Sequence, residues 1–134
     1  MNAFIVDLKN KPGELAKVTE AIAAKGIDLR GVAGATCGDS GTVTIITNDE
    51  AGTRKVLTEG QWKFRPIELV TAALVDRPGS FAQATRSLAD AGINIEAALP
   101  TAMSGGKIQV AFATDNPAKA REAIGEGQLV SAKS

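Results

Sequence analysis

Apolar positions change period repeatedly along this chain. Ala3-Phe4-Ile5-Val6-Asp7-Leu8 is a run of strand formers. From Glu14 to Lys25 the apolar residues Leu15, Val18 and Ile22 recur at i, i+3 and i+7, which predicts a helix with one inward face. Gly26 closes that helix. Ile27 to Thr36 predicts a second strand, bent at Gly31. Cys37-Gly38-Asp39-Ser40-Gly41 is turn chemistry, and Thr42 to Thr47 predicts a third strand. Asn48 or Asp49 can cap a second helix running to about Glu59, with Val56 and Leu57 inward. Gly60 ends it, and Trp62 to Glu68 predicts a fourth strand. The order is β-α-β-β-α-β.

The pattern then restarts. Leu69 to Val75 predicts a strand, and Phe81, Ala84 and Leu88 take the helical positions of Leu15, Val18 and Ile22. Aligning Leu8–Leu29 with Leu74–Ile95 gives eight identities: Leu8/Leu74, Pro12/Pro78, Gly13/Gly79, Ala16/Ala82, Thr19/Thr85, Ala23/Ala89, Gly26/Gly92 and Ile27/Ile93. Ser104-Gly105-Gly106 repeats the turn, and Lys107 to Ala113 alternates as a third strand. Asn116 caps a helix with Pro117 at its first position, running to about Ile124. Gly125-Glu126-Gly127 ends it, and Gln128 to Ser131 predicts a last strand. A repeat of this length outranks any single motif in deciding the fold.

The expected fold class is therefore α+β: two tandem ferredoxin-like βαββαβ units, residues 1–68 and 69–134, with helices on one face of antiparallel sheets. The join is a direct strand-to-strand passage around Pro66–Leu69. About 65 residues is a marginal size for such a unit alone, so sheet edges are the expected place of association. Pro100 suits an edge strand.

Composition narrows the function. Fifteen basic residues balance fifteen acidic ones, so no general attraction to nucleic acid or an anionic membrane follows. No apolar run approaches the roughly 20 residues that span a bilayer, and the N-terminus lacks the form of a signal peptide. A single cysteine, Cys37, excludes an internal disulfide and points to the cytoplasm. The chain has no His, hence no Ser–His or Cys–His pair, and no metal or other cofactor is expected. RNA recognition on this fold needs aromatic residues on the central strands. Only Phe4 and Phe112 are candidates. An enzyme is not expected.

What remains is the loop that occurs twice, Asn10-Lys11-Pro12-Gly13-Glu14-Leu15 and Asp76-Arg77-Pro78-Gly79-Ser80-Phe81. In each, Pro is expected to start the helix and Gly to let a ligand approach the backbone. Unpaired N–H groups beyond it suit a carboxylate or phosphate. The second loop, its helix and Gly92-Ile93-Asn94-Ile95 resemble the signature of the ACT domain family, small βαββαβ regulatory modules that bind amino acids. The resemblance spans nearly the whole chain, which looks like a stand-alone tandem ACT protein.

The resemblance implies an amino acid bound between ACT units. By position it implicates Asp76, Gly79, Ser80, Phe81 and Asn94, and in the first unit Asn10, Gly13, Glu14, Leu15 and Asp28. An amino-acid carboxylate would meet helix N–H groups, and Asp76, Asn10 or Asn94 would meet the ammonium. The first unit departs from the pattern. Asn10 replaces the acidic residue, and Glu14, where the second loop has Ser80, competes with a ligand carboxylate. The second loop is thus the expected receptor. The resemblance also implies a homodimer and a partner enzyme of amino-acid metabolism. The alternative is an interaction module that regulates a partner without binding a small molecule.

Overall fold

The structure, a computed structural model, describes residues 1–126 and 129–131. Its elements are β1 (Asn2–Lys9), α1 (Glu14–Ala23), β2 (Leu29–Cys37), β3 (Ser40–Thr47), α2 (Glu50–Glu59), β4 (Phe64–Val75), α3 (Ser80–Asp90), β5 (Ile95–Ser104), β6 (Lys107–Thr114), α4 (Pro117–Ile124) and β7 (Leu129–Val130). They form two compact units, Asn2–Ile67 and Glu68–Ser134, the latter including Met1.

In the first unit the strand order is β2-β3-β1 followed by the start of β4. Phe4 lies opposite Ile45 and Leu8 opposite Gly41, while Val32 and Thr36 flank the same two β3 residues from β2. Strand periodicity puts Phe4, Val6, Val43 and Ile45 on one face. They pack with Val18 and Ile22 of α1 and Val56 and Leu57 of α2. Both helices therefore cover the same face.

The second unit repeats this in the order β5-β6-β4, with β7 beside β4. Val70, Ala72, Leu74, Val110 and Phe112 meet Ala84 and Leu88 of α3 and Ala120 and Ile124 of α4. Phe4 and Phe112 are at most 1% exposed under the helices, so neither offers a ring to a base on the open face. The caps follow the sequence. Asp49 accepts from Gly52 N at 2.8 Å, and Asn116 accepts from Lys119 N at 3.1 Å ahead of Pro117.

Some expectations change. The predicted strands Trp62–Glu68 and Leu69–Val75 are one twelve-residue strand, β4. No residue between them needs a turn conformation, and Pro66 already has a strand-compatible φ. Leu15 and Phe81, expected inward, are each 47% exposed, because the inward stripe of α1 and α3 begins one turn later at Val18 and Ala84. The last strand is shorter than expected, and Gly127 and Gln128 lie outside the described residues. Leu129 and Val130 pair with Ala73 and Leu74 in parallel. A split βαβ motif would run its last strand antiparallel to its first. The carboxylate of Glu126 takes the N–H of Thr71 on β4 at 3.0 Å and pairs with Arg121 at 3.6 Å.

The repeat offset is 66 up to Leu99 and 67 from Ala102 onward. β5 carries two register shifts against β6, the second between Pro100 and Ala102, where β2 carries one against β3. That second bulge absorbs the extra residue and restores the facing of Ala102 and Met103.

Candidate functional site

Each repeated loop is a four-residue turn that feeds a helix. Glu14 N returns to Lys11 O and Ser80 N to Arg77 O, both at 3.4 Å. Gly13 has φ 89° and ψ −13°, and Gly79 has φ 91° and ψ −15°. Those angles belong to the third residue of a type II turn, with Pro at the second. Pro12 and Pro78 thus set the turn and do not occupy the first helical position. The glycine in each loop is required by the left-handed conformation, beyond any room it leaves for a ligand. Both glycines cap their helices without a side-chain hydrogen bond. The N–H groups of Phe81 and Ala82, like those of Leu15 and Ala16, precede the first intrahelical bond.

The hairpin beside each loop fixes it. Asn10 N donates to Asp39 O, and Asp76 N donates to Gly106 O, at 2.9 and 2.8 Å. The Asn10 side-chain amide also donates to Gly38 O at 2.9 Å. Asp76 is exposed.

At the first helical position the units diverge. Ser80 is 1% exposed. Glu14 has a side chain 15% exposed, with Oε1 3.5 Å from Lys11 Nζ and 3.4 Å from Lys17 Nζ. Burial pushes the Glu14 carboxyl up, but Lys17 and Lys11 together outweigh it and hold it below its ordinary value of 4.5. Phe81 stacks on Phe112, with ring centroids 5.9 Å apart and planes 20° apart.

Asp28 and Asn94 sit at the other end of their units. Asp28 N donates to Asn48 Oδ1 at 2.9 Å, Asn48 N returns to Asp28 O at 3.1 Å, and Arg30 pairs with the Asp28 carboxylate at 3.0 Å. Asn94 N donates to Asp115 Oδ1 at 3.0 Å. Within a unit, the length of β2 separates Asp28 from the Asn10 loop by roughly 25 Å at the strand rise, and β5 separates Asn94 from Asp76 similarly. The structure brings Asn10, Gly13, Glu14 and Leu15 together, and likewise Asp76, Gly79, Ser80 and Phe81. Within one unit it does not bring Asp28 or Asn94 to them.

A groove of about 180 Å³ opens at the first loop, between the start of α1 and the β2–β3 hairpin. Asn10, Lys11, Glu14 and Leu15 line it, together with Leu8, Thr36 and Gly41. These last three were not singled out from the sequence. Their signal was present in the repeat, since Gly41 stands where the second unit has Ile108 and Thr36 where it has Met103. Among the described residues no group of acidic or cysteine side chains is placed to hold a metal ion. No helix among them is long and apolar enough to cross a membrane.

Comparison with known proteins places this geometry. Protein BT0572 from Bacteroides thetaiotaomicron superimposes with a TM-score of 0.79 at 24% identity, over 92% of this chain and 85% of its own. The ligand-free regulatory subunit of aspartate kinase from Thermus thermophilus gives 0.63 at 19% identity, over 92% and 89%. Its counterpart from Thermus flavus gives 0.61 at 22%, over 92% and 90%. These likenesses show a shared fold. No curated protein sequence matches the chain. The family described as ACT domain pair matches residues 1–133. With one βαββα core in each unit and the Pro-Gly loop ahead of each first helix, the chain belongs to the ACT domain pair family.

Proposed function

We propose that this protein senses an amino acid and regulates an enzyme of amino-acid metabolism, without catalytic activity of its own. The observation that carries the reading is the match to an ACT domain pair over residues 1–133. Similarity to regulatory subunits of aspartate kinase supports it. The binding residues are those of the two loops, Asn10, Gly13, Glu14 and Leu15 with Asp28, and Asp76, Gly79, Ser80 and Phe81 with Asn94. At the second loop an amino-acid carboxylate would meet the N–H groups of Phe81 and Ala82, with Asp76 toward the ammonium. The protein acts in the cytoplasm as a homodimer. The edge strand β2, nine residues with no Pro and one charged side chain, Arg30, supports pairing with a second copy.

A thermal-shift screen against the common amino acids tests the reading. A ligand at about 100 times its dissociation constant adds roughly 2.7 kcal/mol of stability. The competing reading is an interaction module without a small-molecule ligand. The commitment of the Asn10 amide to Gly38 and of Asp28 to Arg30 favours it. A flat response to every amino acid decides for that module. Light scattering at the mass of one 13.8 kDa chain at all concentrations overturns the dimer.

A further inference from the structure

We infer that the dimer closes through one sheet edge only. Two β2 strands pair antiparallel across a two-fold axis at Gly34, and Pro100 keeps β5 from doing the same. The inference rests on the homodimer proposed above and deepens it.

Among the described residues β2 pairs only with β3, and β5 only with β6. The backbone decides what each outer side can offer. A two-residue turn, Gly38-Asp39, joins β2 to β3. Cys37 and Ser40 therefore exchange hydrogen bonds, and the pairs Ala35/Thr42 and Ala33/Thr44 follow in alternation. The residues between them, Val32, Gly34 and Thr36, turn their N–H and C=O groups away from β3. The same count from the Gly105-Gly106 turn leaves Met103 and, past the bulge, Pro100 turned away from β6. The repeat sets Pro100 where the first unit has Gly34. Proline has no N–H to give, so β5 lacks the middle donor of its outer side. The bulge between Pro100 and Ala102 also breaks the spacing of the groups that remain.

The occupant that suits β2 is β2 of a second copy. A two-fold axis at Gly34 sets Val32 opposite the partner subunit's Thr36 and Ala33 opposite the partner subunit's Ala35. No like charges meet, and Val32, 43% exposed, gains a β-branched neighbour. The ends are complementary in charge. Arg30 is the one charged side chain of β2, and Asp39 lies in the turn that follows it, both exposed. Antiparallel pairing brings the Arg30 end of one strand to the turn that carries the partner subunit's Asp39. Residues 34–37 are all exposed, so the centre of the edge is accessible. Two open edges would let copies join without limit, whereas one open edge stops the assembly at two.

Analytical ultracentrifugation of the full chain across concentrations tests this. The parent should sediment as two copies and no more. Val32→Lys/Thr36→Lys places lysines opposite each other on an exposed edge. It is expected to weaken dimerisation at least tenfold with the circular dichroism spectrum unchanged. Gly34→Pro, which imports the second unit's residue, should do the same. Ala98→Lys/Met103→Lys, the matching change on β5, should leave the affinity within twofold. Gly34→Cys in a Cys37→Ser background should oxidise to a disulfide-linked dimer. Val32→Cys in that background should not, since its two copies lie roughly 13 Å apart along the strands. Parent-like dimerisation in Val32→Lys/Thr36→Lys overturns the β2 edge and leaves the homodimer standing. Loss of the dimer in Ala98→Lys/Met103→Lys overturns the choice between edges. A disulfide from Val32→Cys and none from Gly34→Cys overturns the register. A parent that sediments as one chain at every concentration removes the homodimer, and this edge with it.

Discussion

The two units present the same junction between their third strand and second helix, built from different chemistry. In the first, Thr47 and Thr53 place their hydroxyl oxygens 2.7 Å apart, and Thr53 also donates to Asp49 O at 2.8 Å. In the second, Thr114 keeps the position of Thr47, but Ala120 replaces Thr53. The Thr114 hydroxyl is buried without a hydrogen-bond partner among the described residues. A repeat can therefore preserve its fold while losing one half of a polar pair, and the cost stays local. The loops differ as well, with Glu14 between Lys11 and Lys17 in the first unit and the buried Ser80 at the equivalent position in the second.

The most disruptive way to probe this comparison is at positions where the units agree. Ile22 and Leu88 are equivalent and fully buried. Ile22→Ala and Leu88→Ala should each destabilise by about 2–5 kcal/mol in chemical denaturation, and a value under 1 kcal/mol at either would contradict the shared core. The turn glycines come next. Gly13→Ala and Gly79→Ala should each cost about 1–2 kcal/mol, since both hold a left-handed φ near 90°. An added Cβ at Gly13 would meet nothing within 4 Å, so the cost there reads the backbone alone.

The polar junction predicts opposite signs. Thr53→Ala should destabilise by about 1 kcal/mol, whereas Thr114→Val should stabilise by about 1 kcal/mol by removing an unsatisfied hydroxyl. Equal signs in thermal melts would show that the two junctions are not different in the way described. The smallest effect is the pH response of Glu14. Its folded value is lowered, so its contribution is fully present above the unfolded value of 4.5 and is lost as pH falls through the lower folded value. Glu14→Gln should flatten this part of the acid-stability curve. Ser80, at the equivalent position, has nothing to titrate there.

Much of the fold was legible because the repeat printed each signal twice. Val18 and Ile22 match Ala84 and Leu88, so the helix faces could be read from either copy. The caps at Asp49 and Asn116 were legible because their chemistry is local. The continuity of β4 was harder to read. A strand that merely continues has no signature distinct from two strands in sequence. The parallel pairing of β7 with β4 is a tertiary contact that no periodicity encodes. At the candidate site, the turn residues were visible but the role of Pro12 and Pro78 was misplaced, since Pro-Gly serves both a helix start and a type II turn. The groove was hidden for a different reason. Its further lining residues Leu8, Thr36 and Gly41 come from three different strands, which only the fold brings together.

The bulge between Pro100 and Ala102 has a consequence for how such repeats can diverge. An added residue in a regular strand would turn every later side chain to the opposite face. Here the kink localises the addition, so Met103 still aligns with Ile108 as Thr36 does with Gly41. The second unit can thus accept a change in length without reassigning which residues face its helices. Edge strands of this kind are places where insertions can accumulate while the core composition remains fixed.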